Sequence, residues 1–310
     1  MKQRGFQHQA LIYAGADEYL AGTMPFVHQA LIAGDPLLIA VAEDKGELIA
    51  GELGPDAERV LLLDMQKVGH NPASIIPFWR DFVDDHEGQS VRGIGEPAWA
   101  ARSQAALDEC HCHEGLLNVA FSPGAEWSLL CPYDAESLGD EVLERVALTH
   151  SHVLRQGRIE ESDRFEPEPD CLGGMLPPPR SRPDVLDFGI AGLSEVRDRV
   201  GRAAERAGLD PRGVADLVTA ASELAANSVM HGGGRGTLRL WCEGDHLLAE
   251  VEDRGLIGEP LVGRLRPTIS QEGGRGLWLA NQLCDLVQIR SGERGTTVRL
   301  HTLARDGALV

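Results

Sequence analysis

The chain has 310 residues, a formal net charge of −19 at pH 7 and a hydrophobic content of 43%. This length suits two domains, and the hydrophobic content is sufficient for ordinary cores. The strong negative charge repels nucleic acid, so direct binding to nucleic acid is not expected. No apolar run approaches the ~18 residues of a membrane span, and the N-terminus lacks the apolar core of a signal peptide, so we expect no membrane contact and a cytoplasmic location.

Short apolar runs alternate with helical patterns over the first half of the chain. The runs predict strands, and they are HQALIYAG, PLLIAVAE, RVLLLDM, SVRGIGEP and WSLLCPYD. Segments with helical periodicity begin at Asp17, Asn71 and Ser103. This alternation predicts an α/β domain with a mostly parallel sheet covered on both faces. Ligands usually bind beyond the carboxyl ends of such strands, and the side chains expected there are Tyr13, Glu43, Asp64, Glu96 and Tyr133.

The first half, over about residues 6–155, resembles the MEDS sensory domain that precedes bacterial regulators and histidine kinase-like ATPases. The stretches that carry the resemblance are HQALIYAGADEYLAGTMPFVHQALIAGDPLLIAV, NPASIIPFWRDF, RGIGEPAWAARS and ECHCHEGLLN. The resemblance implies a sensing role, RecA-like features of the fold and a possible small-molecule ligand, which it does not name. The phosphate-binding pattern G-x-x-x-x-G-K-[ST] is absent from the sequence, so a second nucleotide hydrolase is not expected here.

Three features of the first half have more than one interpretation. His8 precedes an apolar strand and is either a ligand or switch residue or a hydrogen-bonded structural residue. Glu96 follows Arg-Gly-Ile-Gly and either holds a ligand or caps a turn. The run Cys110–His113 offers soft metal ligands, but it lies in a predicted helix, where adjacent side chains point about 100° apart. We therefore favour a partly buried helix over a metal site in that run.

Residues 158–183 are rich in Pro, Glu and Arg and predict an extended linker between a domain at 1–157 and a domain at 184–310. The second domain begins with a predicted strand and two helices, which are separated at Pro211 with Asp210 as the cap of the second helix. Strands near 236–243 and 246–253, a helix near 275–285 and strands near 286–291 and 296–302 follow. These elements predict an α/β sandwich with helices on one face of a mixed sheet.

Three segments of the second half have polar residues and glycines in patterns typical of nucleotide binding. Glu223 and Asn227 are four residues apart in a predicted helix, so their side chains share one face. Asp253 ends an alternating strand pattern and is followed by Gly255. Gly274 and Gly276 precede an apolar helical pattern, where backbone N–H groups suit a phosphate. Each segment alone is also typical of an exposed helix face, a turn or a loop; together and in this order they favour a nucleotide site.

The order of these segments resembles the Bergerat-fold ATPase domain of the GHKL superfamily, and most closely the anti-sigma-factor serine kinases of the RsbW and SpoIIAB type. ELAANSVMHG at 223–232 resembles the N box, DRG at 253–255 the G1 box, and GTTV at 295–298 the late threonine motif. The G2 box is matched by Gly274, Arg275, Gly276 and Leu277. The resemblance covers about residues 184–303. This sequence differs from the usual D-x-G-x-G pattern of the G1 box, because its second glycine is displaced to Gly258. Gly258 lies near the start of the predicted lid, residues 256–272.

The resemblance implies ATP and Mg²⁺ as cofactors and gives each motif a role. Asn227 ligates Mg²⁺, and Glu223 orients or deprotonates the attacking hydroxyl. Asp253 accepts a hydrogen bond from the adenine amino group, and Gly255 lets the backbone approach the ring. The glycines of the G2 box wrap the phosphates as part of the lid, and Thr297 lies near adenine.

The function implied is that of a bacterial signalling regulator under the control of its first domain. Such a regulator is a serine/threonine kinase that binds a sigma factor and phosphorylates a STAS-type anti-sigma-factor antagonist, in some cases as a homodimer. An ATP-dependent partner-switching module without phosphoryl transfer is the alternative. A histidine kinase is less favoured, because His150 and His152 lie near one short predicted helix and no helical hairpin follows.

Overall fold

A computed structural model describes residues 5–121, 126–267 and 274–304 of the chain. The chain folds as two compact units, Met1–Pro169 and Asp170–Val310. The division between the units therefore lies inside the predicted linker. Among the helices of the described residues, none has both the length and the apolar character needed to cross a bilayer.

The first unit is built on a seven-stranded sheet with strand order β3-β2-β4-β5-β1-β6-β7. Its strands are β1 (Gln7–Tyr13), β2 (Leu37–Val41), β3 (Leu61–Asp64), β4 (Val91–Gly95), β5 (Trp127–Asp134), β6 (His152–Arg155) and β7 (Arg158–Glu161). Its helices are α1 (Gly15–Ala33), α2 (Glu43–Leu53), α3 (Met65–Val68), α4 (Ile75–Asp85), α5 (Gln104–Ala120) and α6 (Asp140–Thr149). All pairings are parallel except that of β6 with β7, which confirms the predicted mostly parallel sheet.

The burial of the first unit follows from its topology. Every residue of β2 is buried, as expected for a central parallel strand covered by helices on both faces. Several elements, among them α2 and β7, go beyond the sequence prediction. The helix α2 contains Gly46 and Gly51, which weaken its helical signal. The strand β7 pairs with β6 in this sheet, so the sheet extends past residue 157 into the predicted linker.

The second unit is an α/β sandwich on a five-stranded sheet with strand order β11-β12-β10-β9-β8. Its strands are β8 (Asp184–Gly189), β9 (Arg235–Glu243), β10 (His246–Asp253), β11 (Leu286–Gly292) and β12 (Gly295–Leu303). Its helices are α7 (Leu193–Arg206), α8 (Pro211–His231) and α9 (Arg275–Leu283). Every pairing is antiparallel, so the prediction of a mixed sheet was wrong in this detail. Two of the pairs, β9 with β10 and β11 with β12, are hairpins, which require opposite directions.

Local sequence signals position the long helix α8. Pro211 occupies its first turn, and the Asp210 side chain accepts a hydrogen bond of 2.8 Å from Gly213 N, which confirms the predicted cap. One face of α8 is apolar and packs with α7 and α9 against the sheet, around Leu217, Leu224 and Val251. The face that carries Glu223 and Asn227 is only partly buried. Both side chains are therefore held on a rigid helix whose other side is fixed in the core.

Candidate functional site

The first part of the site is the contact between α8 and the start of α9. Glu223 and Asn227 lie on one face of α8, and Gly276 in the first turn of α9 lies against both. A Cβ added at Gly276 would be 3.0 Å from Asn227 Nδ2 and 3.1 Å from Glu223 Oε2. Only a residue without a side chain leaves this space open. The structure thus brings together two motifs that are about 50 residues apart in the sequence.

The second part of the site is Asp253 at the end of β10. Its Oδ2 accepts a 2.6 Å hydrogen bond from Ser228 Oγ, and its Oδ1 accepts a 2.7 Å hydrogen bond from Gly255 N. Gly232 packs on this carboxyl group, since a Cβ there would lie 2.4 Å from Asp253 Cγ. The carboxylate is therefore fixed in orientation by α8 on one side and by the turn that follows β10 on the other. A fixed acceptor of this kind suits the recognition of one hydrogen-bond donor.

Sequence reasoning missed Ser228 and Gly232 as parts of the site. Ser228 is fully buried, and its hydroxyl oxygen also lies 3.1 Å from Leu224 O. A serine on the apolar face of α8 was the available signal, because a buried hydroxyl needs a polar partner from another element. The i+4 spacing from Leu224 places Ser228 toward the sheet rather than beside Asn227.

The threonine motif on β12 contributes Thr296 rather than the predicted Thr297. Thr296 pairs with Asp253, and its Oγ1 donates a 2.9 Å hydrogen bond to Gly255 O. Thr297 opposes Glu252 and Arg290, and its side chain points to the other face of the sheet. Side chains alternate along a strand, and the buried Val298 and Leu300 mark the helix-covered face. Residue 296 shares that face and residue 297 does not.

The G2 segment forms the start of α9. Gly274 is the N-cap residue with a left-handed φ of 78°, a conformation that a glycine adopts without strain. Gly276 and Leu277 are buried, Arg275 is exposed, and Leu277 packs in the core. The predicted lid begins with exposed residues that include Gly258. Residues 268–273, which include Gly273 of the predicted loop, lie outside the described residues.

The predicted ligand edge of the first unit contains a buried polar cluster. Tyr13, at the end of β1, donates a 2.9 Å hydrogen bond to Glu96 Oε1, and Lys45 Nζ lies 2.5 Å from the same oxygen. Burial raises the pKa of Glu96 to about 7 and outweighs the opposite influence of Lys45. Glu96 Oε2 is buried without a hydrogen-bond partner. Glu96 is therefore part of a polar cluster beyond the strand ends and not merely a turn cap.

Other candidates from the sequence have structural roles. Asp64 caps α3, since its side chain accepts a hydrogen bond from Gln66 N, and Glu43 begins α2. The run Cys110–His113 lies within α5, as predicted. Cys110 Sγ is 3.1 Å from Pro97 O, and the run contributes no residue to the group of metal-ligating side chains that the described residues bring together.

Comparison with known proteins gives the class of each unit. The family model for the MEDS domain, "MEthanogen/methylotroph, DcmR Sensory domain", matches residues 7–151. The family model for the histidine kinase-like ATPase domain matches residues 190–302. The chain is thus a sensory domain followed by an ATPase-type domain. More specifically, residues 7–151 are similar to the MEDS family and residues 190–302 to the histidine kinase-like ATPase family.

The comparison with solved structures gives a partial likeness. A crystal structure of the RsbU and RsbW domains of a Mycobacterium tuberculosis protein has 26% sequence identity to this chain and a TM-score of 0.30. The match covers 41% of this chain and 34% of that chain. No curated protein matches the chain.

Proposed function

We propose that the second unit binds ATP with Mg²⁺ and transfers a phosphoryl group to a serine or threonine hydroxyl of a protein partner. The observation that carries this proposal is the convergence of Glu223, Asn227 and the bare backbone of Gly276 on one space. A carboxylate, a carboxamide oxygen and an open approach at a helix N-terminus are the groups that a hydrated Mg²⁺ and phosphate oxygens need. The match to the histidine kinase-like ATPase family supports the same assignment.

The roles of the residues follow from their positions. Asn227 offers its Oδ1 to Mg²⁺, which when bound neutralises the charge of the phosphate oxygens. Glu223, one helical turn earlier on the same face, is placed to orient the attacking hydroxyl or to accept its proton. Asp253 accepts a hydrogen bond from the adenine amino group, and Thr296 holds the backbone of Gly255 beside it. We assign Thr296 the place near adenine that the resemblance implied for Thr297.

The biological setting we propose is partner switching in bacterial transcription control. In this setting the second unit binds a sigma factor and phosphorylates a STAS-type antagonist, while the MEDS unit supplies the regulatory input. The resemblance of the motifs to the anti-sigma-factor kinases supports this proposal. A histidine kinase is disfavoured, because His150 is 0% exposed and His152 lies in the strand β6 rather than in a helical hairpin.

The decisive experiment incubates the full-length chain and its co-purifying partners with radiolabelled ATP and identifies the labelled amino acid. Label on a partner serine or threonine supports the proposal. Label on a histidine of this chain would make it a histidine kinase, and ATP binding without any label would make it an ATP-dependent binding module. Failure to bind ATP at all would reject the three functions together.

The matched variants are Glu223→Ala and Glu205→Ala. Glu205 is an exposed carboxylate on α7, outside the site, so its loss is expected to change nothing. Glu223→Ala is expected to keep the ATP affinity within about twofold and to lower the rate of phosphoryl transfer by about 10²–10⁴. Transfer at the wild-type rate by Glu223→Ala would show that Glu223 has only a structural role.

A further inference from the structure

Four buried side chains with metal-ligating atoms converge in the first unit, away from the nucleotide site. They come from β1, α5, β5 and the residue after α6, and they are His8, Glu114, Cys131 and His150. Their ligand atoms all lie within 4.8 Å of one another. His8 Nε2 is 2.8 Å from Glu114 Oε2 and 3.3 Å from Cys131 Sγ, and His150 Nε2 is 3.2 Å from Glu114 Oε2. Each of the four residues is at most 3% exposed.

The outer hydrogen bonds aim both imidazoles at the centre of this cluster. Asn118 Nδ2 donates to Thr149 O at 2.8 Å, which turns its Oδ1 toward His8 Nδ1 at 3.1 Å. His8 Nδ1 must therefore carry a proton, because an amide oxygen only accepts. His150 Nδ1 lies 3.0 Å from the carbonyl oxygen of Val146 and 3.0 Å from Thr149 Oγ1. With the Thr149 hydroxyl donating to Val146 O, His150 Nδ1 carries the proton and donates to the same carbonyl. In both neutral rings the lone pair is then on Nε2, which is the pattern seen around metal-bound histidines.

The polar atoms at the centre are not satisfied by one another. Glu114 Oε1 is buried without a hydrogen-bond partner, and His150 Nε2 has only the 3.2 Å contact with Glu114 Oε2, which does not have the geometry of a hydrogen bond. A proton on His8 Nε2 would satisfy its contact with Glu114 Oε2 and would still leave those two atoms unpaired, which is costly in a buried site. One cation at the centre satisfies all four side chains. Two neutral imidazoles, one carboxylate and one thiolate carry a net charge of −2, which a divalent ion balances.

A thiol binds a metal ion as the thiolate, so Cys131 gives up its proton when the ion binds.

We propose that the first unit binds one divalent transition-metal ion of the zinc class through His8 Nε2, Glu114, Cys131 Sγ and His150 Nε2. In a tetrahedral zinc site, Zn–N and Zn–O bonds are about 2.0–2.2 Å long and a Zn–S bond is about 2.3 Å long, which puts the ligand atoms about 3.3–3.7 Å apart. The three short contacts of 2.8–3.3 Å reach that geometry by lengthening by up to about 0.5 Å, and ligand atoms that are farther apart, all within 4.8 Å of one another, move closer together. Four protein ligands fill the coordination shell, so the ion is structural and ties two strands to α5 and to the end of α6.

The test uses the full-length chain and Co²⁺ as a spectroscopic substitute for zinc. We expect one equivalent of Co²⁺ to bind, with the visible bands of a tetrahedral site and a near-ultraviolet band from thiolate-to-cobalt charge transfer. Elemental analysis of the purified chain loaded with Zn²⁺ is expected to give one ion per chain. Loading is also expected to raise the temperature at which the chain unfolds.

The variants separate this site from the nearby run Cys110–His113. Cys131→Ser is the conservative change, and it is expected to abolish the charge-transfer band while circular dichroism shows a folded chain. His150→Ala is expected to lower the affinity for Co²⁺ at least 100-fold. Cys110→Ser is the matched control, because Cys110 is equally buried, and it is expected to keep the band.

Three results would overturn the proposal. The first is less than one tenth of an equivalent of Co²⁺ retained by the folded wild-type chain after dialysis. The second is an unchanged charge-transfer band in Cys131→Ser, which would show that Cys131 is not a ligand. The third is loss of the band in Cys110→Ser with retention in Cys131→Ser, which would place the metal in the run on α5.

Discussion

Replacing Asp253 with Asn tests the proposed adenine site most directly. The carboxylate holds two donors, Ser228 Oγ at 2.6 Å and Gly255 N at 2.7 Å, with one oxygen each. Asparagine keeps one acceptor oxygen, so the contact with Gly255 survives. The Nδ2 group then faces Ser228, and the charged acceptor for the adenine amino group is lost.

The expected cost can be worked from these contacts. The loss of a hydrogen bond that leaves a buried partner unsatisfied costs about 1–3 kcal/mol. Applied to nucleotide binding, this cost raises the Kd for ATP by about 5- to 150-fold. The fold should survive, because Asn has nearly the same shape and the core beneath it, around Val251 and Leu224, is apolar.

Isothermal titration calorimetry of the full-length chain with ATP and Mg²⁺ measures this effect. Asp245→Asn is the control, because Asp245 is an exposed carboxylate in the turn between β9 and β10, and it is expected to bind ATP as the wild type does. An Asp253→Asn variant that is folded and binds ATP with wild-type affinity would refute the assignment of Asp253 to adenine.

Three further predictions concern Gly276, Glu96 and the first unit. Gly276→Ala puts a methyl group 3.0 Å from Asn227 Nδ2, and we expect at least about a tenfold loss of phosphoryl transfer; the control Gly201→Ala, whose Cβ has 3.7 Å of space, should transfer normally. Because the pKa of Glu96 is raised from 4.5 to about 7, the folded chain holds a proton that the unfolded chain releases. Urea unfolding should therefore show that the free energy of unfolding falls by up to about 3 kcal/mol as the pH rises from 4.5 to about 7. Glu96→Gln should remove this fall. Finally, a chain lacking residues 1–169 should differ from the full-length chain in ATP affinity or transfer rate if the first unit regulates the second, and identical values for both would argue against that regulation.

The sequence by itself determined most of the secondary structure and the order of the nucleotide-binding motifs. Periodicity is a local property, so the strands and most helices of both units could be predicted from it. The cap at Asp210 and the shared face of Glu223 and Asn227 depend only on neighbours within a few residues. The elements it missed, α2 and the strands β6 and β7, have weak local signals and are fixed by packing and pairing with distant strands.

The tertiary structure decided which side chains meet. The choice between Thr296 and Thr297 depends on the register of β12 against β10, which pairs Asp253 with Thr296. A shift of one residue would reverse the faces, and the sequence near the motif offers two adjacent threonines with the same chemistry. The apolar Val298 and Leu300 were the one local signal for the correct face.

The buried cluster of the first unit is a stronger example of side chains whose meeting could not be predicted from the sequence. His8 is separated from Glu114 by 106 residues and from Cys131 by 123 residues along the chain. Sequence alone drew attention to Cys110–His113, where ligand-type residues are adjacent, although neighbours on a helix point in different directions. The pairing of β1 with β5 and β6, together with the packing of α5, brings the distant residues to one point. Convergence of this kind is a property of the folded chain, because only the sheet order determines which strands become neighbours.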